Sequence, residues 1–308
     1  MNDAAAPASP RLPGHFKRTL DRNSTIERVA RALSDPRLHT VCQEAKCPNR
    51  NSCYSQGTAT FLILGGTCTR GCAFCAVGKG RPAAPDAGEP EAVARAVATL
   101  GLTYVVITSV TRDDLPDGGA GHFSAVIAAI RNRSPGTMIE VLTPDLQGDP
   151  RALQTVSDAR PEVFNHNLET VPRMYPAVRP QADYRRSLQL LSRVKASGLP
   201  VKSGLMVGLG EEVAEVRRTL DDLGSLGCDL VTVGQYLAPS AGHLPVARFW
   251  EPSEFEELKT YGETAAGIRR VLAGPLVRSS LSAHLAYDTL NINQQEAPHA
   301  THHHHQAF

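Results

Sequence analysis

The chain has 308 residues, 42% of them hydrophobic and 20% charged, with a formal net charge of +1 at pH 7, figures that suit one large barrel-type domain or two smaller ones. Near-neutral charge argues against a nucleic-acid partner, which would leave a basic excess. No apolar run approaches the roughly 18 residues of a membrane span, and residues 1–13, rich in Ala and Pro, lack the apolar centre of a signal peptide.

Residues 1–20 mix Ala, Pro, Arg and Asn without a period and read as a disordered or arm-like segment outside the fold. Cys42, Cys47 and Cys53 follow, separated by four and then five residues, a loose spacing that would be weak evidence alone. An apolar strand is predicted over residues 61–64. Directly after it stand Cys68, Cys72 and Cys75, separated by three and then two residues. Three thiolates this close can wrap one face of a four-iron four-sulfur cubane and leave its fourth iron open to a small molecule. Structural zinc is the alternative, although a closed zinc site wants four ligands and the triplet has no histidine beside it. An odd cysteine count of seven, in a chain large enough to bury a core unaided, argues against disulfides. Reduced thiols and the absence of a signal peptide make a cytoplasmic protein the expectation; the basic, amphipathic signature of a transit peptide is poor.

Farther along, β-branched runs alternate with amphipathic stretches, the sign of parallel strands joined by helical crossovers. Strands are predicted over 104–110, 138–142, 163–166, 201–207, 230–233 and 276–279, and helices over 89–100, 123–131, 184–197, 211–226 and 252–272. Six βα units with one extra terminal strand suggest an α/β fold of partial, open parallel βα barrel type. Ligand sites in such folds gather at the carboxyl ends of strands. There the sequence places the cysteine triplet, Arg112-Asp113-Asp114-Leu115-Pro116-Asp117-Gly118-Gly119, the polar run from Asn165 to Thr170, and Gly208-Leu209-Gly210. Each of these is weak alone, because Asp-Gly-Gly marks any turn and Gly-x-Gly often only ends a strand. Cys228, at a helix-to-strand junction, reads as a small buried hydrophobe. Residues 291–308, with the run His302 to His305, read as a solvated tail or an expression remnant rather than a metal site.

A Cys-x3-Cys-x2-Cys loop after the first strand of a partial barrel resembles the radical S-adenosylmethionine (SAM) superfamily. Phe74, just before Cys75, also matches, since an aromatic there commonly covers the adenine. Four further stretches resemble the lipoyl synthase family within it: Cys42-x4-Cys47-x5-Cys53, the run from Ala59 to Gly66, the run from Arg112 to Ala120, and the run from Gly274 to Ser280. The match extends from about residue 20 to 285. It implies an N-terminal extension over 21–58 carrying auxiliary-cluster cysteines, a radical SAM partial barrel over 59–273, and a C-terminal segment over 274–290 carrying an auxiliary-cluster serine.

The resemblance implies two 4Fe–4S clusters and SAM as cofactors. Cys68, Cys72 and Cys75 would hold the reducing cluster, and Cys42, Cys47, Cys53 and Ser280 the auxiliary one. A serine oxygen is a harder, poorer iron ligand than thiolate, which suits a cluster that must give up sulfur. Gly118 and Gly119 would let the backbone approach the methionine amino group. Asn165, Asn167, Glu169 and Arg185 are candidates for ribose and carboxylate contacts, Arg185 as a carboxylate fork, with Gly208 and Gly210 beside adenine. The implied reaction inserts sulfur at carbons six and eight of an octanoyl group on a carrier lysine, through a 5′-deoxyadenosyl radical, with the auxiliary cluster as sulfur donor. Expected partners are octanoylated lipoyl domains of 2-oxoacid dehydrogenases and the glycine cleavage H protein, an electron donor such as flavodoxin or ferredoxin, and an iron–sulfur carrier protein, with neither nucleic acid nor membrane. Another sulfur-inserting radical enzyme resembling biotin synthase, and a non-catalytic iron–sulfur carrier, are the rival readings. Leu281 departs from the family, which usually has tyrosine there, as do Ala238 and Gly242, where larger polar residues are common.

Overall fold

The computed structural model describes residues 11–17 and 19–288; residues 1–10 and the tail with His302 to His305 lie outside the described residues. Seven strands form the body of the sheet: β1 Thr60–Ile63, β2 Tyr104–Ser109, β3 Met138–Leu142, β4 Val163–Asn165, β5 Val201–Val207, β6 Leu230–Gln235 and β7 Arg270–Gly274. They lie side by side in chain order, every neighbouring pair parallel. An eighth strand, His39–Thr40, pairs antiparallel with β1, so β1 and β7 do not meet and the barrel stays open. Parallel strands are buried on both faces and therefore read as continuous apolar runs, as Tyr104 to Ile107 does.

The crossovers are α1 Glu89–Leu100, α2 Ala120–Arg133, α3 Pro150–Asp158, α4 Tyr184–Ala196, α5 Val213–Ser225 and α6 Pro252–Thr264. Their boundaries follow from capping chemistry. Asp149 and Asp183 accept backbone N–H groups at the starts of α3 and α4, and Glu212 with Glu215, and Glu251 with Glu254, form capping boxes on α5 and α6.

Two sequence expectations need correcting. The last helix ends at Thr264, because Gly267 turns the chain in the left-handed region, and residues 270–274 leave it to pair with β6. The last strand is therefore Arg270–Gly274, and residues 276–279 are not a strand at all. They run onto the concave face of the sheet. Two glycines admit them there, for a Cβ on Gly234 would lie 2.1 Å from the Val277 carbonyl oxygen and one on Gly204 would lie 2.5 Å from Ser279 Oγ. Ala283 and Tyr287 then pack on Tyr104, Val106 and Met138 near the amino ends of β2 and β3. The lower concave face is thus filled by the chain's own carboxyl-terminal segment, while the opposite end stays open.

Candidate active site

A cavity of about 470 Å³ opens at the carboxyl ends of the strands, its wall touching Leu62, Thr108, Leu142, His166, Met206 and Gly234 from β1 to β6 or the residues just after them. Cys68, Cys72 and Cys75 line it, and so do Cys47 and Ser280. Cys42 and Cys53 pack with the hydrophobic core and do not line the wall. Among the described residues no three His, Cys, Asp or Glu side chains gather at single-ion range; the thiols line a space wider than one ion.

The cysteine loop is pinned on every side. Short parallel strands, Thr67–Cys68 and Gly78–Lys79, close its base. Arg70, between the first two cysteines, donates a fork to Asp113 at 2.7 and 2.8 Å and a further bond to Asp145 at 2.7 Å. Burial works to raise the Asp145 carboxyl, but the Arg70 hydrogen bond and charge outweigh it and hold it below the usual carboxylate value. Val178 accepts from the Ala73 N–H at 2.9 Å, Gln181 from the Gly71 N–H at 2.8 Å, and the Cys75 carbonyl accepts from His243 Nε2 at 3.2 Å. Cys68 Sγ accepts N–H groups from Arg70 at 3.4 Å and Thr111 at 3.3 Å, the kind of contact that tunes a cluster's potential. Arg112 is used up structurally, forking onto Asp114 and reaching the Leu64 carbonyl.

Burial pushes the Cys42 and Cys75 thiols up to about 11 and raises Cys72, which the Arg179 charge partly offsets. Binding iron would displace those protons. Cys228 is buried, with its thiol facing the Val201 and Leu230 carbonyls and pushed up to about 12 by burial.

Deeper in the wall, Asn167 Nδ2 donates to Glu169 Oε1 at 3.0 Å, and the buried Arg179 donates to the Asn167 and Leu168 carbonyls at 3.0 and 2.9 Å. Burial raises the Glu169 carboxyl, with Arg179 pulling the other way. Arg179 Nε is buried without a partner. The Arg179 guanidinium, on the cavity wall and within hydrogen-bond reach of Cys72, sets a positive charge beside the thiols, so the residues present suit a carboxylate-bearing cofactor there. Arg278, from the carboxyl-terminal segment, is also on the wall, within the field of Cys47 and Glu169, and burial lowers its pKa. Phe74 lines the cavity and packs on Val178, Leu209, Tyr236 and Val246.

Several residues expected at the cofactor do not line this cavity. Arg185 is exposed on α4, off the cavity wall, because helical phase turns it outward. Arg179 does line the wall, and nothing in the local pattern at Val178-Arg179-Pro180 marks it. Asn165 is buried below the cavity and donates to Glu140 at 3.0 Å. Gly118 and Gly119 form the turn that starts α2, packed on Leu146 and Leu64 and held by Asp117, which accepts from the Gly119 N–H at 2.9 Å. Gly208 faces Gln235 and the Arg248 carbonyl, and Gly210 lies near Met174 and Ala247. Neither glycine lines the cavity.

A model of the Radical SAM superfamily matches residues 62–223. The chain is 56% identical over 273 residues to a lipoyl synthase of Oleidesulfovibrio alaskensis, covering 89% of this chain and 94% of that one. It is 53% identical over 286 residues to a lipoyl synthase of Chlorobium chlorochromatii, covering 92% and 97%. Among solved structures, methylornithine synthase superposes with a TM-score of 0.52 at 15% identity, over 82% of this chain and 75% of that one. The SuiB protein of Streptococcus suis bound to S-adenosylmethionine does so with a TM-score of 0.52 at 12% identity, over 69% of this chain and half of the other.

Proposed function

The chain belongs to the lipoyl synthase family of the radical SAM superfamily, and from that premise we propose how its own residues divide the work. The reaction is insertion of two sulfur atoms at carbons six and eight of a protein-bound octanoyl-lysine, with SAM and iron–sulfur clusters as cofactors. Relatives matching over nine-tenths of their length do not favour the biotin synthase-like or carrier readings.

Cys68, Cys72 and Cys75 hold the reducing cluster; Cys42, Cys47, Cys53 and Ser280 hold the auxiliary cluster. The single observation that carries this is the shared cavity, on whose wall the first triplet meets Cys47 and Ser280. When bound, SAM at the reduced cluster supplies a 5′-deoxyadenosyl radical and the auxiliary cluster supplies sulfur. Arg179, in place of Arg185, would meet the methionine carboxylate, Asn167 and Glu169 the ribose, and Phe74 with Tyr236 the adenine. Arg70, through Asp113 and Asp145, keeps the three thiols in one geometry, and the enclosing wall limits water around a carbon radical.

The chain acts on octanoylated lipoyl-domain proteins. We propose those of 2-oxoacid dehydrogenases and the glycine cleavage H protein, with flavodoxin or ferredoxin as reductant and an iron–sulfur carrier rebuilding the auxiliary cluster. A cytoplasmic setting is proposed on the need for reduced thiols; among the described residues no helix is long and apolar enough to cross a membrane.

Anaerobic reconstitution with reductant, SAM and an octanoyl-lysine peptide tests the assignment. The expected products are 5′-deoxyadenosine and the dithiolated peptide; deoxyadenosine without sulfur transfer would overturn the auxiliary site. Cys42→Ala should abolish sulfur insertion and keep deoxyadenosine formation. Loss of both would show that Cys42 serves folding instead.

A further inference from the structure

We propose that the buried pair Glu140 and Lys202 is a latch that sets the position of Ser280 on the cavity wall. Both side chains are 1% exposed, on the concave faces of β3 and β5. Lys202 Nζ donates to Glu140 Oε1 at 2.9 Å, to Glu140 Oε2 at 3.0 Å and to the Ser279 carbonyl at 2.5 Å. An ammonium has three protons, and these three acceptors use them all. Glu140 in turn accepts from Tyr104 Oη at 2.7 Å and Asn165 Nδ2 at 3.0 Å. Strands β2 to β5 thereby converge on one carbonyl of the carboxyl-terminal segment.

A buried ion pair is weak evidence for stability, since apolar residues of similar volume fill such a place as well or better; what it can supply is a fixed register. Here the register is that of residues 277–280. Ser279 Oγ donates to Asn167 Oδ1 at 3.0 Å and lies 3.3 Å from Thr232 Oγ1. The bare faces of Gly204 and Gly234 let the segment lie this close. With the Ser279 carbonyl fixed by Lys202 and its side chain by Asn167, the next residue, Ser280, comes to the wall that Cys47 lines. Asn167 also holds Glu169, so the same contact ties the serine segment to the other half of the cavity. Neither Glu140 nor Lys202 lines the cavity; they are positioning residues.

The inference rests on the reading of Ser280 as an auxiliary-cluster ligand, and the test separates the two. The full chain carrying Cys68→Ala, Cys72→Ala and Cys75→Ala is reconstituted so that only the auxiliary cluster forms, and iron release to bathophenanthroline disulfonate is timed. Lys202→Met is compared with Glu140→Gln/Lys202→Met, which leaves no lone charge buried, and with Ser280→Ala. Both latch variants and Ser280→Ala should release iron roughly tenfold faster than the parent. Adding Ser280→Ala to the double latch variant should bring no further increase, because the two changes remove one ligand. Parent-like release from the latch variants, with fast release from Ser280→Ala, overturns the latch and leaves the ligand reading intact. Additive rates, accompanied by a lower melting temperature, also overturn it, since the pair would then act on the fold alone. Unchanged release from Ser280→Ala overturns the ligand reading and the latch with it.

Discussion

Arg179 and Arg185 show how little residue type says about position. Arg185 sits on an outward face of α4, whereas Arg179 lines the cavity, its Nη1 held by two backbone carbonyls. A hydrogen bond to a charged group contributes about 1.5–3 kcal/mol, or roughly ten- to a hundredfold in affinity. Arg179→Leu should therefore raise the Kd for SAM by at least about tenfold, and Arg185→Ala should leave it unchanged, as isothermal titration of the reconstituted protein would read. The cysteines behave differently. Their common place on the cavity wall was legible, because three thiols within eight residues must share one neighbourhood whatever the fold. Asn165, one residue past Phe164 on β4, was not legible: it points to Glu140 under the cavity, while Asn167 and Glu169 point into the wall.

The element that sequence reading handled worst is the carboxyl-terminal segment. Its apolar residues Leu276 and Val277 pass for a strand, but the edge of the sheet is already taken by residues 270–274. What remains is the concave face, and only glycine leaves room there. Gly234→Ala would set a methyl group 2.1 Å from the Val277 carbonyl, which cannot stand without moving the segment. Overpacking of this kind typically costs 1–3 kcal/mol, so urea unfolding should show a loss of about that size. Gly242→Ala, where the nearest atom lies 3.8 Å away, should stay within about 0.5 kcal/mol. The cysteine loop shows the opposite case, for its position after β1 was readable even though its supports, Asp113, Asp145, Val178, Gln181 and His243, come from segments far along the chain.

At the scale of the molecule, burial couples the site to acid stability. His166 is fully enclosed, with Nδ1 donating to the Thr143 carbonyl at 2.8 Å and Nε2 accepting from Ser187 Oγ at 2.9 Å. Burial first, and the Arg179 charge second, push its pKa down to about 4. Such a group keeps its full contribution above the unfolded histidine value near 6.5 and loses it as pH falls toward 4. The protein should lose on the order of 2 kcal/mol of stability between pH 7 and pH 4.5 from this residue, and His166→Gln should flatten that part of the melting-temperature profile. A slope unchanged by the substitution would assign the acid sensitivity to other groups.

The parallel α/β order and the grouping of three thiols can be read without the fold, because hydrophobic period and thiol spacing are local. The family followed from motifs of the same local kind. Which polar residues share the cavity and which hold its floor is settled by the packing of the whole sheet. That choice depends on which face each strand residue presents and on loops that meet only when seven strands lie side by side, so Glu140 and Lys202, 62 residues apart, and Lys202 and Ser279, 77 apart, become partners across distances the sequence does not record.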